Sequence, residues 1–384
     1  MSHSNKASPE QPRQVMVGHY YPELDGIRSI AILLVIFFHG RIIAMPQTFP
    51  EKIYYGLVET GWIGVDLFFV LSGFLITGIL LDTFKQKDYF RNFYLRRILR
   101  IFPLYYAVLI LFTILSLFGL LTSFDQKSVI GQFSYWLYLQ NWLSLLGISP
   151  TKAISHFWSL AIEEQFYLIW PALVLFSARR NAVGKLCLTT IILAFIVRAI
   201  FVSYDQLAYF FTFSRMDTLA LGAAIAFLLR KYGSLNSFRP AALILAVISA
   251  VIVVVVTITQ RGFYGHDPEV LLYGLLPLAI FFASFIVIAL TASDQGVLKQ
   301  ALRSPWLRTI GTISYGVYIF HWPIAVLLQG IWPVINNFWI NQLGFTAVIS
   351  VSSITVAWFS YQYFEKPFLR LKDKIAPVQK NETA

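Results

Sequence analysis

The chain has 384 residues, of which 57% are hydrophobic and only 13% are charged. This composition excludes an ordinary soluble domain, because repeated apolar runs of about 20 residues are typical of membrane-spanning helices. Lys and Arg outnumber Asp and Glu by 30 to 19, and the single cysteine, Cys187, excludes an intramolecular disulfide and a cysteine-rich metal site.

Ten apolar segments predict an all-α, polytopic membrane helix bundle with both termini in the cytoplasm. The segments are residues 24–45, 61–82, 102–121, 157–177, 185–203, 213–230, 240–259, 270–291, 310–328 and 342–363. In this topology the cytoplasmic segments carry 22 Lys and Arg and the external segments carry five, which follows the positive-inside rule. The basic charge is therefore explained by topology and does not indicate nucleic-acid binding.

Three parts are predicted along the chain: a polar N-terminal segment (1–21), a membrane domain (22–370) and a short basic cytoplasmic tail (371–384). The N-terminal segment is too long and too uncharged to open a signal peptide, so the first helix is expected to stay as an anchor. Residues 135–147 are apolar but short, and they are predicted to form an interfacial or re-entrant piece.

The first span, "LDGIRSIAILLVIFFHG", carries three ionisable side chains on one face. At about 100° per residue, Arg28 and His39 are separated by about three turns, and Asp25 lies one turn before Arg28. Arg28 and His39 are then roughly 16 Å apart along the helix axis. Asp25 and Arg28 could alternatively be headgroup-level helix ends, but this would not explain His39, since ionisable groups in a bilayer are costly and usually functional.

A basic cluster precedes the third span in "RNFYLRRILRIFP". Arg96 and Arg100 are four residues apart, and Arg97 and Arg100 are three apart, so they share a basic face with Arg91 nearby. Guanidinium groups suit phosphates because they donate paired hydrogen bonds. The alternative is that these arginines only contribute to the positive-inside charge.

Five spans place ionisable groups at a similar depth, nearer the external side. The groups are His39, Asp66, Glu163, Glu164, Arg215, Asp217 and His321. A shared polar chamber explains this agreement, and helix-end snorkelling is the alternative. The strongest candidate is His39, because imidazole can take a hydroxyl proton near neutral pH, and Glu163 or Glu164 could fix its tautomer.

Several members of this set also have structural interpretations. Asp217 could simply pair with Arg215, and His321 could hydrogen-bond a neighbouring helix. The external aromatic residues could stack on sugar rings or form an interface belt, and they are Tyr135, Trp136, Tyr138 and Trp142.

The sequence has no GxxxxGK[ST], HExxH or GxSxG motif, so ATP-driven transport, a zinc site of that type and a nucleophile elbow are not expected.

The sequence resembles the acyltransferase-3 family of bacterial membrane proteins. The matching blocks include "LDGIRSIAILLVIFFH" with its Arg28–His39 spacing, and they run in family order from about residue 22 to 370. The others are "GWIGVDLFFVLSGFLIT", "FYLRRILRIFPLYY", "FWSLAIEEQFYLIWP", "SRMDTLALGA", "ISYGVYIFHWP" and "SYQYFEKP". This resemblance implies transfer of an acyl group, usually acetyl, from cytoplasmic acyl-CoA to a hydroxyl of an envelope or exported glycan, by an enzyme of the bacterial cytoplasmic membrane.

The resemblance suggests a role for each candidate residue, with no permanently bound cofactor and no metal. Arg28 with Arg96, Arg97 and Arg100 would hold the CoA phosphates, and Asp25 would pair with Arg28. His39 would deprotonate the acceptor or carry the acyl group transiently, oriented by Glu163 or Glu164. The chamber would be lined by Asp66, Arg215, Asp217, Tyr315, Tyr318 and His321.

Some relatives carry a fused extracytoplasmic hydrolase-like domain, and this chain is expected to act alone or with a separate partner. Two other functions stay open from the residues. A transporter or flippase for a lipid-linked saccharide would use the same intramembrane charges as a substrate path. A structural scaffold of an export complex would not require His39.

Overall fold

The computed structural model describes residues 20–41, 45–118, 129–202, 207–333, 335 and 337–377. In these ranges every regular element is a helix, and there is no strand. The α-helices are α1 Pro22–His39, α2 Phe49–Glu59, α3 Gly64–Thr83, α4 Tyr89–Leu117, α5 Val129–Trp136, α6 Trp158–Arg179, α7 Val183–Phe201, α8 Leu207–Phe210, α9 Thr212–Tyr232, α10 Arg239–Thr259, α11 Leu275–Thr291, α12 Val297–Leu302, α13 Pro305–Thr312, α14 Ser314–Gln329, α15 Phe338–Ser360 and α16 Lys366–Ile375.

Short non-α turns connect several of these helices. The 3₁₀ turns are Thr60–Ile63 before α3, Gln140–Leu146, Lys152–Phe157 before α6 and Asn236–Phe238 before α10. The π-helical turns are Val270–Gly274, which leads into α11, and Tyr361–Glu365, which joins α15 to α16.

The chain forms a polytopic helix bundle, as predicted. Eight helical segments of the described ranges are long and apolar enough to cross a membrane, and α13 with α14 makes nine if this pair, bent by 73°, is one span. These nine correspond to nine of the ten predicted segments. The tenth is α1. Its 18 residues include Glu23, Asp25 and Arg28, and with three charged residues it does not qualify as a membrane span by composition.

Several predicted boundaries differ from the structure. α4 begins at Tyr89 and not at residue 102, so the arginine cluster and the predicted third span lie on one continuous helix. The segment 135–147 forms the end of α5 and a 3₁₀ turn, both too short to span. The cytoplasmic location of the termini and the domain boundaries stay predictions, and residues 1–19 and 378–384 lie outside the described ranges.

The first helix lies in the middle of the bundle, where it packs against α3, α12, α13 and α14. Two glycines permit this packing: a Cβ on Gly26 would collide with the backbone of Leu302, and one on Gly311 with the backbone of Asp25. Close backbone approach at small residues is the usual way in which helices pack in membranes. Neighbouring helices bury more than half of α1, including its polar residues Glu23, Asp25 and Ser29.

The aromatic residues of the 135–147 segment are partly core residues. Tyr135 is 2% exposed and Tyr138 6% exposed, and the Tyr138 ring stacks on Tyr105 of α4 with 4.3 Å between centroids. The Tyr105 hydroxyl donates to the Tyr135 carbonyl at 2.8 Å. Neither sugar stacking nor an interface belt therefore describes Tyr135 and Tyr138, which anchor this segment to α4.

Candidate active site

Two neighbouring cavities lie inside the bundle beside α1 and share two lining residues. The arginine cavity, of about 220 Å³, is lined by parts of α1, α3, α4, α6 and α14. The histidine cavity, of about 660 Å³, lies toward the C-terminal end of α1 and includes residues from the loops around 140–156 and 264–266. Val65 and Tyr318 line both cavities, so they mark the junction between them.

The arginine cavity carries three guanidinium groups, from Arg28 of α1 and from Arg97 and Arg100 of α4. Arg28 is held by Asp25, with 2.9 Å between Nη1 and Oδ1, which confirms the predicted pair. The Tyr20 hydroxyl donates to the same carboxylate. Asp25 therefore fixes the guanidinium of Arg28 at the cavity wall.

The other two arginines of the cavity are free to bind a ligand. Among the described residues, neither Arg97 nor Arg100 forms an ion pair or hydrogen bond, although Arg97 lies 5.4 Å above the Tyr167 ring. Unpaired guanidinium groups at a cavity wall favour an anionic ligand, since they can donate paired hydrogen bonds to phosphate oxygens.

Arg96 does not belong to this set, which corrects the predicted basic face. Its Nη1 donates to the Ala376 carbonyl at 2.7 Å, and its Nη2 lies 3.4 Å from Asp373. Successive residues of an α-helix point about 100° apart. Arg96 therefore faces the C-terminal helix α16, while its neighbour Arg97 faces the cavity. The sequence could not distinguish these faces without knowing where α16 packs.

The carboxylates Glu163 and Glu164 line the arginine cavity, so the predicted contact with His39 is wrong. The 3₁₀ turn Lys152–Phe157 directly precedes α6, which begins at Trp158. Both glutamates share a cavity with Arg97 and Arg100, although no ion pair joins them in the described part of the chain. Glu164 Oε1 is buried and has no hydrogen-bond partner in the described part of the chain.

His39 is held by another histidine and not by a carboxylate. Its Nδ1 lies 3.1 Å from the Val35 carbonyl oxygen and 3.1 Å from Nε2 of His321. Because a carbonyl oxygen can only accept, Nδ1 of His39 carries the hydrogen. The Nδ1 of His321 lies 2.7 Å from the Tyr318 carbonyl, so the same reasoning leaves its Nε2 as the acceptor that faces His39.

This assignment leaves Nε2 of His39 with a lone pair. His39 lines the histidine cavity, and its ring packs beside Trp322 with 4.5 Å between centroids. A histidine whose Nδ1–H is held by a fixed acceptor presents Nε2 as a base or nucleophile, as in hydrolytic triads. His321 therefore takes the orienting role that the sequence assigned to a glutamate.

A third histidine, His156, was not among the sequence candidates. Its Nε2 donates to the Tyr318 carbonyl at 3.0 Å, and the Tyr318 hydroxyl donates to the His156 carbonyl at 2.8 Å. The ring centroids of His156 and His321 are 5.0 Å apart. The available signal was the first residue of "HFWSLAIEEQFYLIWP", a histidine directly before an apolar span.

The buried acidic and basic residues of α3, α7 and α9 form two ion pairs that line neither cavity. Arg215 pairs with Asp66, and Arg198 pairs with Asp217, each at 2.7 Å. All four side chains are at most 1% exposed. The predicted chamber role of Asp66, Arg215 and Asp217 is therefore not supported by geometry, and the alternative Asp217–Arg215 pair is also wrong.

Two tyrosines of α14 occupy different places. Tyr315 lines the arginine cavity, and its hydroxyl donates to the Ile101 carbonyl at 2.8 Å. Tyr318 lines both cavities and supports the histidine cluster.

Within the described ranges no group of His, Cys, Asp or Glu has a geometry that could hold a metal ion, and this includes the three histidines.

The histidine cavity has a wall of aromatic and amide side chains. Its aromatic members include Trp62, Trp158, Tyr209 and Tyr264. Gln140 and Asn141 add amide groups, and an Arg41–Glu59 ion pair of 2.6 Å lies at the wall. Aromatic faces and polar hydrogen-bonding groups together suit a polyhydroxylated ligand, which stacks on rings and exchanges hydrogen bonds.

Comparison with known proteins gives a consistent result. The acyltransferase domain model of the acyltransferase-3 family matches residues 21–362. The peptidoglycan O-acetyltransferase OatA of Listeria monocytogenes is 28% identical over 391 residues, which cover 94% of this chain and 59% of that protein. The O-acetyltransferase OatA of Staphylococcus aureus is 28% identical over 369 residues, covering 91% of this chain and 57% of that protein.

The chain thus spans less than two thirds of the length of these curated relatives. No solved structure matches the chain.

Proposed function

This chain belongs to the acyltransferase-3 family, and we propose on this premise that it transfers an acetyl group from acetyl-CoA to a hydroxyl of an envelope glycan. The observation that carries the proposal is the junction of an arginine-lined cavity with a cavity that contains an oriented histidine. The names of the two OatA relatives support an O-acetyl product and, for the Listeria protein, a peptidoglycan acceptor.

The donor would bind with its phosphates at Arg28, Arg97 and Arg100. Acetyl-CoA carries several negative charges at its phosphate end and an uncharged arm that ends in the thioester. The cavity has the same order, because its guanidinium groups lie toward the N-terminal end of α1 and its apolar wall continues to Val65 and Tyr318. The axial separation of roughly 16 Å from Arg28 to His39 is comparable to the reach of the arm.

The sidedness of the reaction follows from the distribution of positive charge. The N-terminal end of α1 and the arginines of α4 lie at the end of the bundle that the positive-inside rule assigns to the cytoplasm. In the cytoplasmic membrane of a bacterium, the donor would then bind on the side where CoA is available. The histidine cavity then faces the external side, where envelope glycans are found.

The transfer is a displacement at the thioester carbonyl. The acceptor oxygen attacks the carbonyl carbon while Nε2 of His39 takes the hydroxyl proton. The new C–O bond forms, the C–S bond breaks, and the proton passes from His39 to the departing thiolate, giving free CoA. In a second route, Nε2 of His39 attacks the thioester carbonyl carbon and the C–S bond breaks, which releases the CoA thiolate. The acceptor oxygen then attacks the acyl carbon, the N–C bond to His39 breaks, and the hydroxyl proton neutralises the thiolate.

His321 stabilises the cationic state of His39 in the first route. Its Nε2 accepts the Nδ1–H of His39 at 3.1 Å, so positive charge on the His39 ring strengthens this hydrogen bond. The Val35 carbonyl accepts the same hydrogen and limits rotation of the ring. The glycan would occupy the histidine cavity, where the hydroxyl approaches Nε2.

The test uses membranes that contain the chain, acetyl-CoA labelled in the acetyl group, and the envelope glycan of the host. Wild type is compared with His39→Ala at matched abundance and with membranes that lack the chain. Wild-type membranes are expected to give glycan label that mild alkali releases, as an ester requires, and His39→Ala is expected to lose at least about 100-fold of the rate. Wild-type label no higher than in membranes without the chain would refute the proposed function.

A further inference from the structure

We propose that Val65, which lines both cavities together with the fixed side chain of Tyr318, sets the length of acyl chain that this protein transfers. This inference rests on the proposed function, because it concerns the acyl group of the donor. It identifies Val65 as a specificity-determining residue at the junction of the arginine and histidine cavities.

The first observation is the position of the junction. Of the residues that line the arginine cavity, only Val65 and Tyr318 also line the histidine cavity. The proposed donor site lies on one side and Nε2 of His39 on the other. Whether transfer is direct or passes through an acyl-histidine, the acyl group must therefore lie at or cross this junction.

The second observation is that both shared side chains are buried. Val65 is 7% exposed and Tyr318 is 6% exposed, so both pack closely against their neighbours. The neighbouring side chains are also apolar, with the Phe68 ring 6.4 Å from the Tyr318 ring and Phe69 on the same cavity wall. A methyl group fits such a place without loss of hydrogen bonds, and each further methylene needs additional volume.

The third observation is that Tyr318 is fixed at both ends. Its hydroxyl donates to the His156 carbonyl at 2.8 Å and lies 2.5 Å from the Ser159 hydroxyl. Its carbonyl accepts from His156 and from His321. Rotation of the ring would break these bonds inside a buried region, which is costly, so Tyr318 cannot move aside for a longer acyl chain.

The size of the Val65 side chain consequently determines how much space the acyl group has at the junction. It comes from the first turn of α3, where Gly64 packs against the backbone of Ala31 in α1 and fixes the helix position. Replacing valine by alanine removes two methyl groups from a wall that cannot collapse easily. Hydrophobic pockets typically discriminate by about 10- to 200-fold for one methylene.

The experiment measures transfer from acetyl-, propionyl- and butyryl-CoA by the same membranes. The ratio of butyryl to acetyl rates is compared among wild type, Val65→Ala and Val70→Ala. Val70 is a matched control, because it lies on α3, is 0% exposed and lines neither cavity. Since each ratio is measured within one preparation, differences in folding or abundance cancel.

Wild type is expected to prefer acetyl, Val65→Ala to raise the butyryl-to-acetyl ratio at least about tenfold, and Val70→Ala to keep the wild-type ratio. Val65→Ile, which adds volume, is expected to lower the propionyl-to-acetyl ratio. The inference is overturned if Val65→Ala keeps the wild-type ratio, or if wild type accepts butyryl as readily as acetyl. Absence of transfer from every donor by wild type would instead reject the proposed function.

Discussion

His39 and His321 are joined by a hydrogen bond of 3.1 Å between Nδ1 of the first and Nε2 of the second, although 282 positions separate them in the chain. Because the Tyr318 carbonyl accepts a hydrogen bond from His321, the hydrogen of His321 is on Nδ1. Nε2 of His321 can then only accept, so the hydrogen of His39 is on its Nδ1. The two rings therefore form an ordered pair in which Nε2 of His39 is the one nitrogen without a partner among the described residues. Such an arrangement resembles a histidine–carboxylate pair, with a neutral imidazole as the acceptor.

Removal of His321 should lower the rate constant of transfer. Loss of one hydrogen bond costs about 0.5–1.5 kcal/mol, so His321→Ala is expected to reduce kcat by up to about tenfold. The loss is smaller than for His39→Ala because the Val35 carbonyl still accepts the Nδ1 hydrogen. His321→Gln should retain more activity, since its amide oxygen can replace the acceptor nitrogen.

Initial rates at saturating acetyl-CoA would test this order of activities. A purely structural His321 would affect protein abundance and not kcat per folded molecule. Equal kcat for His321→Ala and wild type, with His39→Ala inactive, would show that the pair does not contribute to transfer.

The arginines of α4 should separate into two classes. Arg97→Ala and Arg100→Ala are each expected to raise the KM for acetyl-CoA by about 10-fold or more, because a charge-assisted hydrogen bond contributes about 1.5–3 kcal/mol. Arg96→Ala should leave this KM unchanged, since Arg96 is bound to Asp373 and the Ala376 carbonyl.

Binding of acetyl-CoA to purified protein at several salt concentrations would check the separation. Loss of a phosphate contact should also weaken the salt dependence of binding for Arg97→Ala and Arg100→Ala. An Arg96→Ala variant that loses donor affinity as strongly as the other two would contradict the assigned faces.

The buried Asp66–Arg215 pair should be important for folding and not for chemistry. Removing one partner of a buried ion pair costs about 3–5 kcal/mol because the other charge is left uncompensated. Asp66→Ala and Arg215→Ala are therefore expected to unfold at much lower temperature in detergent. Replacement of both by apolar residues, Asp66→Leu with Arg215→Met, should restore much of the stability.

The test compares thermal unfolding with transfer activity per folded molecule. The stabilised double variant should be active, since the pair lines neither cavity. A well-folded but inactive double variant would indicate that these charges take part in binding or catalysis.

Acid should weaken an ion-pair cluster between α11 and α12. Asp294 lies 3.1 Å from Lys299 and 3.0 Å from Arg303, and these two cations lower the pKa of its carboxyl group. A carboxyl group with a lowered folded-state pKa stabilises the fold above its unfolded pKa of about 3.9, and this contribution disappears as the pH falls through the folded-state pKa.

Asp294→Asn should therefore be less stable than wild type at pH 7, and the two should converge when the pH falls below about 4. Unfolding temperatures of both proteins across this pH range would measure the difference. A difference that does not change with pH would mean that Asp294 acts through packing and not through its charge.

Part of the site could be predicted from local geometry alone. The hydrogen bonds of an α-helix fix the rise and rotation per residue, so the spacing of Arg28 and His39 and the Asp25–Arg28 pair followed from the sequence of α1. The apolar runs likewise determined where helices form. His156 was missed because a single histidine before an apolar span carries little local information.

The tertiary structure decided which side chains meet. The sequence predicted that Glu163 or Glu164 would orient His39, whereas the structure puts both in the cavity with the arginines and makes His321 the partner of His39. Rotation and depth of one helix relative to another depend on contacts between segments that are far apart in the chain. Periodicity fixes the faces of each helix, but only close packing, as at Gly26 and Gly311, determines which face meets which neighbour.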